Sequence, residues 1–130
     1  MTLPAPTLCL LLGEGAGGGA LAFLPADRVV AAQHAWLSPL PPEGASAVLY
    51  RTTEQAIEVA ERQGIGVAAL RAHRIVDRVV PELPGAADEG EAFLQRVGAV
   101  LEAELGTLLR FDPSARYRER RRRYRALGLT

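Results

Sequence analysis

Leu8-Cys9-Leu10-Leu11-Leu12-Gly13-Glu14-Gly15-Ala16-Gly17-Gly18-Gly19-Ala20-Leu21-Ala22 is the stretch on which the fold turns. Its first five residues are continuously apolar and stop at a glycine. That pattern predicts a short strand buried on both faces, as in a parallel sheet. A glycine loop follows, and Ala20 to Leu24 reads as a short helix ended by Pro25, whose ring cannot continue a helix. Strand, glycine loop and helix start together gather backbone N–H groups in one place. Glycine permits φ > 0 and close approach of a ligand, and a helix N-terminus adds the positive end of a dipole. The stretch therefore reads as an oxyanion-type site. Two alternatives stay open on the pattern alone. One is a tight turn with no ligand. The other is a nucleotide-binding βα unit, since Gly13-x-Gly15-x-x-Gly18 matches the dinucleotide fingerprint. Against the latter stand the short helix and the want of an acidic residue closing a second parallel strand.

Outward from this stretch, Met1 to Thr7 carries Pro4 and Pro6 and reads as an extended lead-in. Asp27 to Ala32 and Ile75 to Val80 read as strands, and Ala35 to Ser38 as a short one. Pro39, Pro41 and Pro42 force a loop before a small-residue helix over Ala45 to Tyr50. Thr52-x-x-Gln55 has the form of a capping box, opening a helix to about Gln63, and Val67 to Ala72 reads as another. Pro84 to Gly90 reads as an acidic loop. Glu91 to Arg110 is the longest helix, with Phe93, Leu94, Val97, Leu101, Leu105 and Leu108 marking one buried face. Asp112-Pro113 caps a last helix from Ser114 to about Leu127. The chain is one α/β domain, with a β/α part over about residues 6–83 and C-terminal helices over 84–130. Strand Leu8–Leu12 has nothing upstream to pair with, so the sequence reads as the second half of a larger unit with an exposed sheet edge.

All fifteen basic residues are Arg, which excludes lysine Schiff-base chemistry and a P-loop lysine. The single Cys9 excludes a disulfide framework and a cysteine zinc site, and fits a reducing, cytoplasmic setting. Nothing approaches the roughly 18 apolar residues of a membrane helix, and no basic segment precedes the first apolar run as in a signal peptide. The net charge is zero but uneven: Arg110 to Thr130 holds eight Arg against Asp112 and Glu119, a local +6, leaving −6 on the rest. The arginine run has three readings: a solvated helix face first, then a docking surface for a partner subunit or CoA phosphates, and last nucleic acid, which a single helix without a stacking platform disfavours. No nucleic-acid or membrane partner is expected.

Four motifs in order carry a family resemblance. They are Gly13-Glu14-Gly15-Ala16-Gly17-Gly18-Gly19-Ala20-Leu21-Ala22, Ala26-Asp27-Arg28-Val29, Pro42-Glu43-Gly44-Ala45-Ser46 and Arg74-Ile75-Val76-Asp77-Arg78-Val79-Val80-Pro81-Glu82. Together they closely resemble the carboxyltransferase of bacterial acetyl-CoA carboxylase, in its alpha subunit or the alpha-like C-terminal half of fused chains. The resemblance runs from about Pro6 to the C-terminus and covers only the C-terminal part of the family's domain. It implies a partial crotonase-like fold of β-β-α units. It implies carboxyl transfer from carboxybiotin, carried on a biotin carboxyl carrier protein, to acetyl-CoA, giving malonyl-CoA, with no metal in this chain. It also implies a beta-type partner subunit or half, in a hetero- or homo-oligomer. Carried over by position, the backbone N–H groups of Gly18, Gly19 and Ala20 would form the oxyanion hole for biotin. Gly15, Gly17, Glu43 and Gly44 would line the substrate site.

The sequence departs from that pattern in several places. Ala16 and Gly17 replace a Gly-Ser pair, which keeps donors and removes a hydroxyl. Pro41 stands for a usual Ser, Ala45 for a usual Cys, and the Pro84 to Gly90 loop lacks the family's Gly-Gly-Ala-His-Arg-Asp run. Among side chains, Glu14 reads as a loop anchor, and Glu43 as an anchor or a site residue. His34 and His73 are lone histidines; a triad with Ser38 and Asp27 or Asp77 has no support in spacing. A nucleotide-binding module and a non-catalytic partner subunit are the competing functions.

Overall fold

The protein is described by a computed structural model over residues 3–127. In chain order it forms β1 (Leu8–Leu11), β2 (Glu14–Ala16), α1 (Gly17–Phe23), β3 (Arg28–Ala32) and β4 (Trp36–Ser38). Then come α2 (Pro42–Tyr50), α3 (Ala56–Gln63), α4 (Val67–Ala72), β5 (Arg78–Val80), α5 (Ala86–Glu89), α6 (Glu91–Arg110) and α7 (Pro113–Ala126). β1, β3 and β5 make a parallel sheet in that order, with Leu8 opposite Arg28 and Val30 opposite Arg78. β2 and β4 make a second, two-stranded parallel sheet, with Ala16 opposite Ser38. Parallel neighbours require crossovers, and α1 and the α2–α4 run supply them. The central strand β3 carries the core: Val29 to Ala32 are buried among Leu37, Leu70, Val80, Phe93 and Val97.

The glycine stretch differs most from its reading. Glu14-Gly15-Ala16 is strand, not loop, because β4 is available as a partner. Gly15 is buried between layers. A Cβ there would lie 2.8 Å from Leu11 Cδ1 and 2.9 Å from Leu37 Cδ1. Gly15→Ala is therefore expected to destabilise by about 1–3 kcal/mol, the cost of overpacking a filled core, measured as a lower urea midpoint. An unchanged midpoint would contradict this packing.

Other boundaries moved for local reasons. α2 starts at Pro42, not Ala45, since proline is accommodated at the first helical position. The Thr52–Gln55 capping box does not form: Thr52 Oγ1 accepts from Glu54 N at 3.3 Å and the helix begins at Ala56. Residues 75–77 lie outside β5; Asp77 N donates instead to Val29 O. The acidic loop contains the single turn α5. On α6, Phe93, Val97 and Leu108 are buried, but Leu94 and Leu105 are exposed. β1 is only half-buried along its length, as befits the edge strand of its sheet.

The arginine run divides: Arg118, Arg121, Arg122 and Arg125 are the solvated face, and the other side is not. Arg116, Arg120 and Arg123, spaced to share one side of α7, turn inward, and Arg120 is 3% exposed. Arg120 grips Asp27 with two bonds, Nε to Oδ1 at 2.7 Å and Nη2 to Oδ2 at 2.5 Å. Its remaining donors reach Leu3 O and Ala5 O, and Arg116 Nη2 reaches Pro4 O, so α7 fastens the extended lead-in. Thr7 donates to Asp27 from both its N and its Oγ1. Arg123 donates to Asp77 Oδ2 at 2.7 Å and to the carbonyls of Arg74 and Ile75. Asp77 Oδ2 also accepts from Val29 N. Tyr124 acts through its hydroxyl, which donates to Leu24 O at 2.6 Å. Asp112 Oδ2 caps α7 by accepting from Ala115 N. These contacts hold the amino ends of β3 and β5, and so the register that sets the opposite end of the sheets.

Candidate functional site

The carboxyl ends of β2 and β4 are neighbours, and each leads to a helix start: α1 directly after Ala16, α2 a few residues after Ser38. The chain bends into α1 at Gly17, whose φ of +75° favours glycine. In the first turn of a helix the N–H groups find no carbonyl within it. Here they belong to Gly17, Gly18 and Gly19. Ala20 sits in the fourth helical position, where the N–H turns into the helix's own ladder.

Gly18 and Gly19 have neither a positive φ nor a close neighbour; a Cβ on either would meet nothing within 4 Å. Both are exposed. Each glycine costs a helix about 1 kcal/mol relative to alanine, and within this chain nothing offsets that cost. Exposed glycines with free space at the Cβ position let a ligand oxygen approach the backbone closely.

The other assigned residues fall differently. Gly15 belongs to packing rather than to the donor array. Glu14 and Glu43 are exposed, Glu43 in the first turn of α2, and a Cβ on Gly44 would touch only Leu40. Ser38 is buried with its hydroxyl donated to Leu40 O at 2.6 Å. His34 lies against Glu82, Nδ1 to Oε2 at 3.0 Å, while Glu82 also accepts from His34 N and Ala86 N. Burial of Glu82 opposes its ionisation, but those hydrogen bonds prevail and hold its carboxyl below the ordinary range. His34 thus pins the end of β3 to the segment after β5. Asp27 and Asp77 are committed to arginines. No Ser-His-Asp array exists among the described residues.

Nor does the dinucleotide fingerprint survive: its second glycine is in a strand, and the helix it opens is seven residues long. No group of three or more His, Cys, Asp and Glu among the described residues could hold a metal. No helix among them is long and apolar enough to cross a membrane.

Residues 1–128 match the family model described as acetyl co-enzyme A carboxylase carboxyltransferase-like. The chain belongs to that family. It is 51% identical over 129 residues to the probable biotin-dependent acyl-coenzyme A carboxylase beta3 subunit of Mycobacterium tuberculosis, covering 99% of this chain and 26% of the relative. It is 38% identical to the acetyl-coenzyme A carboxylase carboxyl transferase subunit alpha of Deinococcus radiodurans, covering 97% of this chain and 40% of that protein. The chain thus spans well under half the length of these relatives. Among solved structures, a Pseudomonas malonate decarboxylase hetero-tetramer superposes with a TM-score of 0.65 at 22% identity, covering 94% of this chain and 51% of that one. A transcarboxylase 12S superposes at 0.57 and 24% identity, covering 83% and 21%. The fold is the crotonase-like fold of these two structures, with parallel sheets and C-terminal helices.

Where this carboxyltransferase-like chain departs from the family's glycine run, the structure gives the consequences. Ala16 is the residue before α1, with φ −121° and no side-chain cap, so the helix opens without a hydroxyl beside its donors. Pro41 and Pro42 enter α2 with Pro42 in its first turn. Ala45 is buried in α2, where a small side chain packs.

Proposed function

We propose that this chain supplies the biotin-side half of an acyl-CoA carboxylase carboxyltransferase site, with acetyl-CoA as acceptor and malonyl-CoA as product. The observation that carries the reading is the α1 start, where the first-turn N–H groups fall on Gly18 and Gly19, two exposed glycines whose missing side chains nothing in the chain's own packing explains. Their N–H groups would hold the ureido oxygen of biotin, the fixed-donor arrangement that stabilises charge as it develops. Bound carboxybiotin supplies the carboxyl group and, once that has left, the base for the acyl α-proton. No side chain of this chain is then needed as a base, in keeping with the structural roles of His34, Asp27 and Asp77. Gly17 shapes the approach, and Ala20, Glu43 and Gly44 flank it.

The chain's exposed apolar surface supports the need for a second half. Phe23 is 80% exposed, and Val48, Leu49, Tyr50 and Ile57 stand out on α2 and α3. Patches of this kind mark interaction sites. The same reading gives the protein a beta-type partner, a biotin carrier protein and a cytoplasmic setting. The chain by itself is expected to turn over no acetyl-CoA, and to support malonyl-CoA formation when co-purified with a beta-type subunit and carboxybiotin. Turnover by the isolated chain would refute the division of the site. A preference for propionyl-CoA over acetyl-CoA in the assembled enzyme would overturn the choice of acceptor alone.

A further inference from the structure

The outward face of α7 carries charge that the chain's own contacts leave uncompensated. Arg118, Arg121, Arg122 and Arg125 are exposed. Their spacing of three and four puts them in one stripe, about 10 Å long at the helical rise. Glu119 is the acid beside them, and it pairs with Arg122 at 2.9 Å. Arg118, Arg121 and Arg125 have no acidic partner among the described residues. Like charges three and four residues apart on a helix repel, so the stripe works against the helix that bears it. The helix is held nonetheless, because Arg116, Arg120 and Arg123 on its other side are bonded to Asp27, Asp77 and backbone carbonyls. The outward guanidinium groups therefore stand on a fixed support. The space between them, about 420 Å³, is bordered by these four arginines and Ala126, with no large apolar side chain.

We propose that this stripe is a docking surface for an acidic segment of a partner protein, one whose carboxylates recur at the same helical spacing. Guanidinium groups take carboxylates in paired, charge-assisted hydrogen bonds. Nucleic acid fits less well. Residues 1–109 hold seven Arg against thirteen acids, a balance of −6. A polyanion longer than the stripe would run onto that acidic surface, whereas a short acidic segment ends with the stripe. Nor does α7 set out an aromatic platform for bases: Tyr117 and Tyr124 are half-buried, each with an arginine over its ring. Pairs between exposed charges are individually weak, so the contact is one that forms and releases rather than a permanent seam. It uses none of the residues at the α1 start, and its failure would leave the carboxyl-transfer reading untouched.

The test is fluorescence anisotropy of a labelled helical peptide with glutamates at i, i+3, i+4 and i+7, titrated with the whole chain. The expected result is saturable binding that weakens as salt rises, since the Debye length falls from about 30 Å at 0.01 M to about 8 Å at 0.15 M. The same peptide with lysines in those places should not bind. Arg118→Gln together with Arg125→Gln is expected to weaken binding about three- to tenfold, as two exposed ion pairs are lost. The same double change should hold or raise the thermal midpoint, because it relieves the repulsion along the helix. Arg71→Gln, at an exposed arginine on α4, should change neither. Equal binding of the lysine peptide, or undiminished binding by the Arg118→Gln, Arg125→Gln chain, would overturn the proposal. Tighter binding of oligothymidylate at equal salt would also overturn it and make the face a nucleic-acid site. Self-association that the double change abolishes, with no peptide bound, would instead give the face to a second copy of the chain and contradict the proposal.

Discussion

Gly18→Pro is expected to lower kcat of the assembled carboxyltransferase about 10²- to 10³-fold, the loss seen when one donor of an oxyanion hole is removed. Proline at this place is a clean probe. Gly18 is the second residue of α1, so its N–H is free of the helix ladder. A proline in the first turn costs no hydrogen bond there and suits the fixed φ. Thermal stability should therefore hold or rise while activity falls. Gly19→Pro should behave alike. Gly18→Ala keeps the donor and should stabilise α1 by about 1 kcal/mol, yet fill the open space a ligand needs. Loss of turnover without loss of stability separates a functional glycine from a structural one. Gly15 gives the opposite pattern, since its replacement strikes the core.

The second large effect concerns the buried ion pair. Arg120→Leu is expected to destabilise the chain by about 3–5 kcal/mol, because it leaves Asp27 buried with its main partner gone. Replacing both residues with leucine should cost much less, since removing a buried pair together leaves no unpaired charge. Urea unfolding of the two single variants and the double variant measures the difference. The pair also sets an acid limit. Burial opposes ionisation of Asp27, but the hydrogen bonds from Arg120 and Thr7 and the guanidinium charge outweigh it and hold the carboxyl below its ordinary 3.8. A depressed folded value means the stabilisation is complete above the unfolded pKa and is lost as pH falls through the folded one. Stability should thus be flat in this respect above about pH 5 and fall below the ordinary carboxylate range. Asp27→Asn should lose that acid-dependent component. An Asp27→Asn chain that unfolds at the wild-type urea midpoint would show that the pair contributes nothing.

The sequence was most legible where local signals agreed with tertiary need. The apolar run forms a strand, the long amphipathic segment forms α6 and the Asp112-Pro113 cap forms as read, although β1 is only half-buried and Leu94 and Leu105 of α6 are exposed. It was least legible where a distant partner decides. Glu14-Gly15-Ala16 has no strand propensity of its own and is strand only because β4 lies beside it. That hid the true function of Gly15 and moved the helix start to Gly17. The arginines were hidden by composition: a helix this basic reads as solvated. The inward set Arg116, Arg120 and Arg123 recurs at four and three, the same spacing that betrays an apolar face. Reading that period against the lone acids Asp27 and Asp77, each opening a strand motif, would have suggested the pairing. The donors at Gly18 and Gly19 could be named from the family resemblance, but the open space above them is a property of the fold.

The central claim is that the α1 start holds the ureido oxygen of biotin. Isotope-edited infrared spectroscopy of biotin labelled at the ureido carbonyl, bound to the assembled enzyme, tests it most directly. Hydrogen bonding to a carbonyl lowers its stretching frequency. The account predicts a downshift on binding to the wild-type enzyme that is lost in Gly18→Pro and retained in Gly15→Ala where that variant folds. The same downshift in Gly18→Pro and Gly19→Pro would place the oxygen elsewhere and contradict the account.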